Sequence, residues 1–450
     1  MAVETSPPAG AADAASEPGR RRRPKIYYGY YLVGAAFFAQ MISAGAQTYV
    51  AGVFLVPMTE EMDWTRSDFT LAQTVGRFFT AFLGIFLGSL VDRGYARRLM
   101  FLGATIIGAA VFATSFVTDL WQYILLRGVI LVMGAAMVGN LVVNVTLSKW
   151  WVEKRGRMVG FSSMGVSAAG VFLPLVLTPI VDEFGWRAGW RVLAVIAWAL
   201  LYPAAAVMRG TPEEQGLNPD GRTDEEMASP AGDRVRADFA NSLTRGEALR
   251  TPAFYLIVLA FGISGVGLGT MLFTTIPFTT DAGFSRTFAS LMLSLFVALP
   301  AALVKPIWGW GMDRVSPKVL AASSFVIAAI GSVIIVFAAQ AGAGVILALG
   351  FILVGAGLGG QIPIQEVIWG SYFGRRYLGS VRSVAMPFAL FFGAGGPQAV
   401  QIYYDKVGDY YGAFLAVGAL WLLAAGFVLL VKRPDLPQRI LDERAAAAAR

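Results

Sequence analysis

The chain has 450 residues, 56% of them hydrophobic and only 14% charged, with a mean hydropathy of +0.61. In a soluble protein that length would suggest about three domains; here the composition points to a membrane protein instead. With neither Cys nor His in the sequence, disulfides, thiol chemistry, the common zinc sites and imidazole proton relays are excluded, so no cofactor or metal is expected and proton handling falls to Asp, Glu or a substrate.

Residues 1–25 are rich in Ala, Pro, Ser and Glu and end in Arg20, Arg21, Arg22, Arg23 and Lys25. Without an apolar stretch this segment is no secretory signal and reads as a disordered tail. Twelve apolar runs follow, at about 30–56, 69–91, 99–117, 121–147, 158–180, 192–208, 254–277, 289–312, 319–340, 343–368, 384–403 and 411–431. Each is long enough to cross a ~30 Å hydrocarbon core as a helix. Between the sixth and seventh lies the only long polar insert, 209–252, rich in Pro, Gly, Asp and Glu, which reads as a linker. The expected organisation is a tail (1–25), a six-helix bundle (26–208), the linker (209–252), a second bundle (253–433) and a tail (434–450).

The formal charge of +7 is explained by topology. If the N-terminus is cytoplasmic, 28 of the 36 Lys and Arg fall in inside segments, 5 in outside loops and 3 within spans. That is the positive-inside rule, and it predicts a multi-pass protein of the cell (inner) membrane with both termini and the linker in the cytoplasm. No nucleic-acid partner is implied.

The halves match in order. Trp64-Thr65-Arg66 pairs with Phe284-Ser285-Arg286, Gly88-x-x-x-Asp92-Arg93 with Gly309-x-x-x-Asp313-Arg314, Trp150-Trp151 with Tyr372-Phe373, and Gly170-x-x-x-Pro174 with Gly393-x-x-x-Pro397. Offsets of 220, 221, 222 and 223 identify an internal repeat. Twelve spans with Gly-x-x-x-Asp-Arg after the second and eighth resemble the major facilitator superfamily over nearly the whole chain. The first copy departs from the usual pattern at Gly94, Tyr95 and Ala96. The resemblance implies an all-α integral membrane protein, twelve helices in two six-helix bundles, that transports by rocking about a midplane site and is not an enzyme. In it Gly88, Asp92, Arg93, Gly309, Asp313 and Arg314 act as a conformational latch: the glycines allow close helix approach and each Asp-Arg pair bonds a neighbouring helix end in one conformation only.

A charge at bilayer depth costs about 2.5–3.5 kcal/mol on the insertion scale, which makes it a functional candidate. Four qualify: Arg77, Arg127, Lys305 and Glu366. Lys305 lies eight residues before Asp313, about 12 Å along a helix. Ala298, Ala301 and Ala302 share its face and leave room for a ligand, and Pro306 weakens the helix; the alternative is a lysine snorkelling to the interface. Arg77 shares a polar stripe with Gln73, Thr80 and Gly84, which either lines a substrate path or holds an outer vestibule together. Glu366 is either buried, as a proton carrier, or paired at the interface with Arg375 or Arg376.

The segments GVFLVPMTEEMDWTR (52–66) and KWWVEKRGRMVGFSSMGVSAAG (149–170), with Lys305-Pro306-x-x-Gly309, look like the monocarboxylate and oxalate:formate branch of the superfamily. That resemblance implies a substrate carboxylate on Lys305, where Arg is usual, with Asn140, Tyr49 and Gln365 as further substrate-binding positions; Arg77 joins them as a candidate through its own polar stripe. Glu366 and Arg127, the latter resembling a fourth-helix arginine motif, would couple protons. Ala301 stands where the animal carriers hold an acid and Tyr49 near their first-helix lysine, so their proton relay is not reproduced. The expectation is a monomeric secondary transporter of a small organic anion, most readily a monocarboxylate, by proton symport or anion exchange. An exporter of amphipathic cations or drugs, and a receptor that binds without translocating, are the alternatives; three cations to one acid within the spans speak against the exporter.

Overall fold

The computed structural model describes residues 26–442; the N-terminal tail expected over 1–25 lies outside them, as does the end of the C-terminal one. The chain forms α1 (Gly29–Met62), α2 (Arg66–Asp92), α3 (Ala96–Thr114), α4 (Leu120–Trp150), α5 (155–184), α6 (186–207), α7 (Pro252–Asp281), α8 (Thr287–Met312), α9 (Pro317–Gln340), α10 (Gly344–Phe373), α11 (378–407) and α12 (Tyr411–Leu429). They pack as two six-helix bundles. The helices run longer than the apolar runs because polar residues continue several of them beyond hydrocarbon depth.

The largest departure is between α5 and α6, where the sequence leaves a loop over 181–191. The helices abut at the single residue Gly185, whose φ of 79° and ψ of 165° belong to a region only glycine occupies readily. Aromatic packing fixes the corner. Trp190 stacks on Phe54 of α1 with centroids 3.7 Å apart, Trp186 Nε1 donates to Glu61 Oε2 at 2.7 Å, and Arg187 pairs with the same carboxylate.

The linker is folded, contrary to the flexible segment its composition suggests. It holds the short helices Asp224–Ala228, Asp233–Ala240 and Arg245–Ala248. Two begin with capping boxes: Thr223 with Glu226, and Thr244 with Glu247, each satisfying two otherwise orphaned N–H groups. This Thr-x-x-Glu signature was in the sequence and outweighs the Pro and Gly around it. The described ends of the chain pack on the same side as the linker, hereafter the linker face: Tyr27 Oη donates to Trp150 O and Asn218 O, and Arg439 pairs with Glu247.

Contacts between the bundles gather toward this face, where α2 meets α11 and α5 meets α8 and α10.

Candidate functional site

The aspartate of each repeated Gly-x-x-x-Asp-Arg motif reaches across from one bundle to the other. At the end of α2, Asp92 accepts the backbone N–H of Gly379 (2.9 Å), the N–H of Ser380 (2.6 Å) and the Ser380 hydroxyl (2.7 Å). These are the first N–H groups of α11, which have no intrahelical acceptor and carry the positive end of the helix dipole. At the end of α8, Asp313 accepts the N–H of Gly156 (2.8 Å) and Arg157 Nε (2.6 Å) at the start of α5. Burial pushes the Asp313 carboxyl upward against these hydrogen bonds, which pull it down. The glycines make the approach possible: a Cβ on Gly309 would sit 2.6 Å from Gly156 O, and one on Gly88 would clash with Gly379 O.

The arginines expected to complete the latch do not. Arg93 is exposed, and Arg314 lies over the Trp310 ring of its own helix, 3.9 Å from the centroid. The cations at the two carboxylates are Lys149, 3.4 Å from Asp92, and Arg157. Both sit on the α4–α5 side of the N-terminal bundle, where Lys149 flanks Asp92 of its own bundle and Arg157 meets Asp313 from the other, whereas Arg93 and Arg314 are exposed. The linker adds a third tie. Its Asp238 accepts from Arg155 at the start of α5 (3.0 Å) and lies 3.9 Å from Arg375 of the α10–α11 loop. Asp220 accepts the N–H groups of Val152, Glu153 and Lys154; burial raises its carboxyl pKa, and these bonds oppose the shift.

Lys305 is buried at the junction of α8 and α5, where Nζ donates to Ser163 O (2.9 Å) and Ser167 Oγ (2.7 Å). It does not snorkel. The room expected beside it is taken by α10, because a Cβ on Gly359 would fall 2.5 Å from Ala301 O; the small residues on that face serve helix approach. α8 breaks at Val304, just ahead of Pro306, where the proline removes a helical N–H.

Glu366 is buried, and its partner is neither Arg375 nor Arg376. Arg382 of α11, also buried, holds it in a two-pronged ion pair, Nε to Oε2 at 2.6 Å and Nη2 to Oε1. Gln365, next to it, is half-buried.

The remaining candidates gather in the N-terminal bundle. Arg127 lies in a π-helical turn of α4, Ile124–Ile130, a feature frequent at functional sites. It is buried, donates to Ala46 O of α1 at 2.6 Å and stacks on Trp190, 4.6 Å from the ring centroid. Arg77, Gln73 and Thr80 of the expected stripe line one small cavity of about 60 Å³ with Arg127, Gln47 and Thr48. Gln47, Thr48 and Thr80 also line a second cavity, of about 260 Å³, which reaches Gly84, Asn140 and, from the other bundle, Met386. Among the described residues the two cavities present two arginines and no carboxylate. Tyr49 lies beside them against Gly170 of α5. Lys305, Gln365 and Glu366 line neither.

Sequence reasoning missed Lys149, Arg157 and Arg382 as partners. It also missed Gly156 and Gly379, which repeat at an offset of 223 and could have been found beside the other repeated pairs.

Among curated proteins, the MFS-type transporter pytF of Aspergillus terreus is 25% identical over 293 residues, 64% of this chain and 88% of its own length. The MFS-type transporter hasB of Aspergillus fumigatus is 30% identical over 176 residues, 38% of each chain. The Fujikurins efflux protein of Gibberella fujikuroi is 26% identical over 148 residues, 33% of this chain and 31% of its own; for these last two the match spans well under half of the relative. Among solved structures, the proton:xylose symporter XylE superposes with a TM-score of 0.73 at 13% identity, covering 90% of this chain and 96% of that one. FucP in its outward conformation gives 0.66 at 12% identity, covering 91% and 100%. At such identities the likeness is one of fold. The family model of the Major Facilitator Superfamily matches residues 36–397 and 269–448, and the chain therefore belongs to that superfamily: it is a membrane transporter and not an enzyme.

Proposed function

We propose that the protein carries a small organic anion, most readily a monocarboxylate, by alternating access, coupled to a proton or to exchange for a second anion. The observation that carries this reading is the pair of adjoining cavities lined, among the described residues, by Arg77 and Arg127 and by no carboxylate. In a low-dielectric interior such a chamber favours anions and repels cations. The buried acid of α10, Glu366, has its charge matched by Arg382 and does not offset the arginines. The cavities, about 260 and 60 Å³, are smaller than those that hold drug-sized ligands.

The loop charges support placing the linker face in the cytoplasm, and we take the protein to act as a monomer in the cell (inner) membrane. On that orientation, closed latches at the linker face make this the outward-facing limb of the cycle.

The competing reading, export of an amphipathic compound, draws on the efflux protein among the relatives. Uptake into liposomes containing the purified protein decides between them. Labelled acetate, propionate and glycolate are expected to enter, faster at lower external pH if a proton accompanies the anion. Saturable movement of a lipophilic cation with no carboxylate uptake would overturn the anion reading, and carboxylate binding without flux would make the protein a receptor.

A further inference from the structure

α4 is two helices. Its first part ends with Leu131–Val138, Gly139 takes an extended conformation (φ −80°, ψ −165°), and an 11-residue helix, Asn140–Trp150, starts afresh. The sequence LVMGAAMVGNLVVNV (131–145) reads as one apolar run, so the break is visible only in the fold. Within a bilayer a broken helix is tolerated where it is buried in protein or lines an aqueous cavity, because lipid cannot satisfy the freed backbone groups.

The two sides of the break are treated differently. Ala135 O, on the first helix, accepts the Ser43 hydroxyl at 3.0 Å. On the other side the N-cap position is a glycine, with no side chain to cap the first N–H groups, and these carry the positive end of the second helix's dipole. Gly139, Asn140 and Leu141 line the cavity of about 260 Å³, whose lining holds no charged side chain among the described residues. An uncapped helix start facing a cavity is complementary to an anion.

A second group in the same wall asks for a ligand. Gln40 of α1 lines the cavity and is 1% exposed. Its Nε2 is committed to Asn144 Oδ1 (3.3 Å) and Ser162 Oγ (3.1 Å), while its Oε1 has no hydrogen-bond partner among the described residues. A buried carbonyl left this way is costly, and a ligand that brings a donor relieves the cost.

We infer that this cavity is the head-group subsite for the transported anion. The carboxylate rests on the first-turn N–H groups of Asn140–Trp150, and a hydroxyl or amino group close to it donates to Gln40 Oε1. The preferred substrates are thus small carboxylates bearing a hydrogen-bond donor near the charge. This rests on the anion-transport reading and adds to it where the anion sits and which substituent is selected. Lys305 is engaged elsewhere in this conformation, so backbone dipoles supply the local positive charge.

The test is binding to the purified full-length protein by titration calorimetry, with glycolate and acetate as probes of nearly equal size. The wild-type protein is expected to bind glycolate about tenfold more tightly than acetate, the worth of one buried hydrogen bond. Gln40→Met, which keeps the bulk and removes the amide, is expected to equalise the two. Asn140→Pro removes one first-turn N–H at a position where proline is compatible with a helix start, and is expected to bind both probes about tenfold more weakly than Asn140→Ala, which keeps the N–H. Equal wild-type affinities for glycolate and acetate, or equal binding by the Pro and Ala variants, would overturn the inference while leaving anion transport standing. Failure of either carboxylate to bind the wild-type protein would instead remove the anion reading itself. The wild-type comparison decides the matter even if a variant does not fold.

Discussion

The Asp92 carboxylate accepts the backbone N–H of Gly379, 287 residues further along the chain, at 2.9 Å. Its repeat partner, Asp313, does the same for Gly156, 157 residues back, at 2.8 Å. One contact runs from the first bundle to the second and the other returns, so the bundles meet at the linker face through two copies of a single arrangement: a carboxylate at a helix end capping a helix start in the other bundle. Asp92, Gly379, Asp313 and Gly156 line neither of the two cavities beside Arg77 and Arg127, so on the proposed anion reading these contacts act on the conformation and not on the cargo.

Asp92→Asn and Asp313→Asn are therefore expected to weaken closure without touching the cavity. A hydrogen bond to a charged group is worth about 1.5–3 kcal/mol, so losing the charge shifts the balance between open and closed linker faces by roughly tenfold to a hundredfold. The chain has no native cysteine, so a single cysteine introduced on the linker-face half of α8 reports opening through its alkylation rate without background. Faster alkylation, slower exchange and near-wild-type affinity are expected in both variants. Wild-type labelling and flux would show that the contacts do not govern the cycle.

The glycines give an independent route to the same phenotype. Gly309→Ala places a methyl group 2.6 Å from Gly156 O, a backbone atom that cannot move aside without shifting α5, and Gly88→Ala meets Gly379 O in the same way. Both should open the linker face while leaving each bundle folded. Gly34→Ala and Gly265→Ala, where a Cβ meets nothing within 4 Å, are the controls; with their gain in helix propensity of about 0.5–1 kcal/mol they should melt no lower than wild type. Equal effects at all four positions would mean that close approach at the latch is not what these glycines provide.

The latch was readable because it repeats: Gly88 with Asp92 and Gly309 with Asp313 stand out at one offset, and hydrophobic runs announce the twelve helices. Its acceptors were less visible, since a helix start such as Gly379-Ser380 contributes backbone N–H groups that any residue carries. The break at Gly139 leaves no mark in an apolar run where glycine and alanine are frequent. Pairing of Glu366 with Arg382 depends on how α10 and α11 fold back on each other, which spacing along the chain does not give. Lys305 was visible as a misplaced charge, but its partners Ser163 and Ser167 are on another helix. Periodicity and charge report what a segment must avoid; they do not report which neighbour relieves it.

Glu366 and Arg382 are a buried pair, and removing one partner leaves the other charge uncompensated. Glu366→Gln and Arg382→Gln are each expected to lower stability by about 3–5 kcal/mol, whereas the double replacement Glu366→Leu with Arg382→Met should recover most of the loss. Thermal unfolding of the four proteins in one detergent gives the comparison. If Glu366 also carries the coupled proton, the double variant will be stable yet its uptake will no longer respond to pH. Uptake that keeps its full pH response in that variant assigns the pair to structure alone.

The linker's folded form predicts that it helps keep the face closed. Asp238→Ala frees Arg155 and Arg375 from their shared carboxylate, and Asp220→Ala removes the acceptor of three N–H groups ahead of α5. Limited proteolysis should cut the linker of either variant several-fold faster than wild type, with both bundles surviving as intact fragments. Unchanged cleavage would mean that these carboxylates do not hold the linker down.

On the proposed anion reading, Lys305 is expected to couple the closed linker face to the cargo. In this conformation its ammonium has two acceptors on α5, Ser163 O and Ser167 Oγ, and the α5–α8 contact that supplies them belongs to the closed linker face. When the bundles rock and those helix ends part, the ammonium leaves both acceptors, and an unpaired buried charge costs several kcal/mol. On the proposed anion reading, an anion moving from the cavity beside α4 toward α8 would offset that cost and so favour opening when cargo is aboard. Lys305→Gln keeps an N–H donor for Ser163 O and should remain folded with the linker face closed, but anion-driven opening and transport should fall at least tenfold. Lys305→Arg keeps the charge and adds a fork suited to a carboxylate, so it should retain part of the activity. Ser167→Ala removes one acceptor of the closed state and should raise cysteine alkylation at the linker face even without substrate. The decisive comparison is alkylation with and without glycolate in the four proteins: glycolate should speed it in wild type and Lys305→Arg and leave Lys305→Gln unchanged. A Lys305→Gln protein that transports a carboxylate with unaltered affinity and still opens in response to it would take the lysine out of the cycle and leave Arg77 and Arg127 as the cations that meet the substrate.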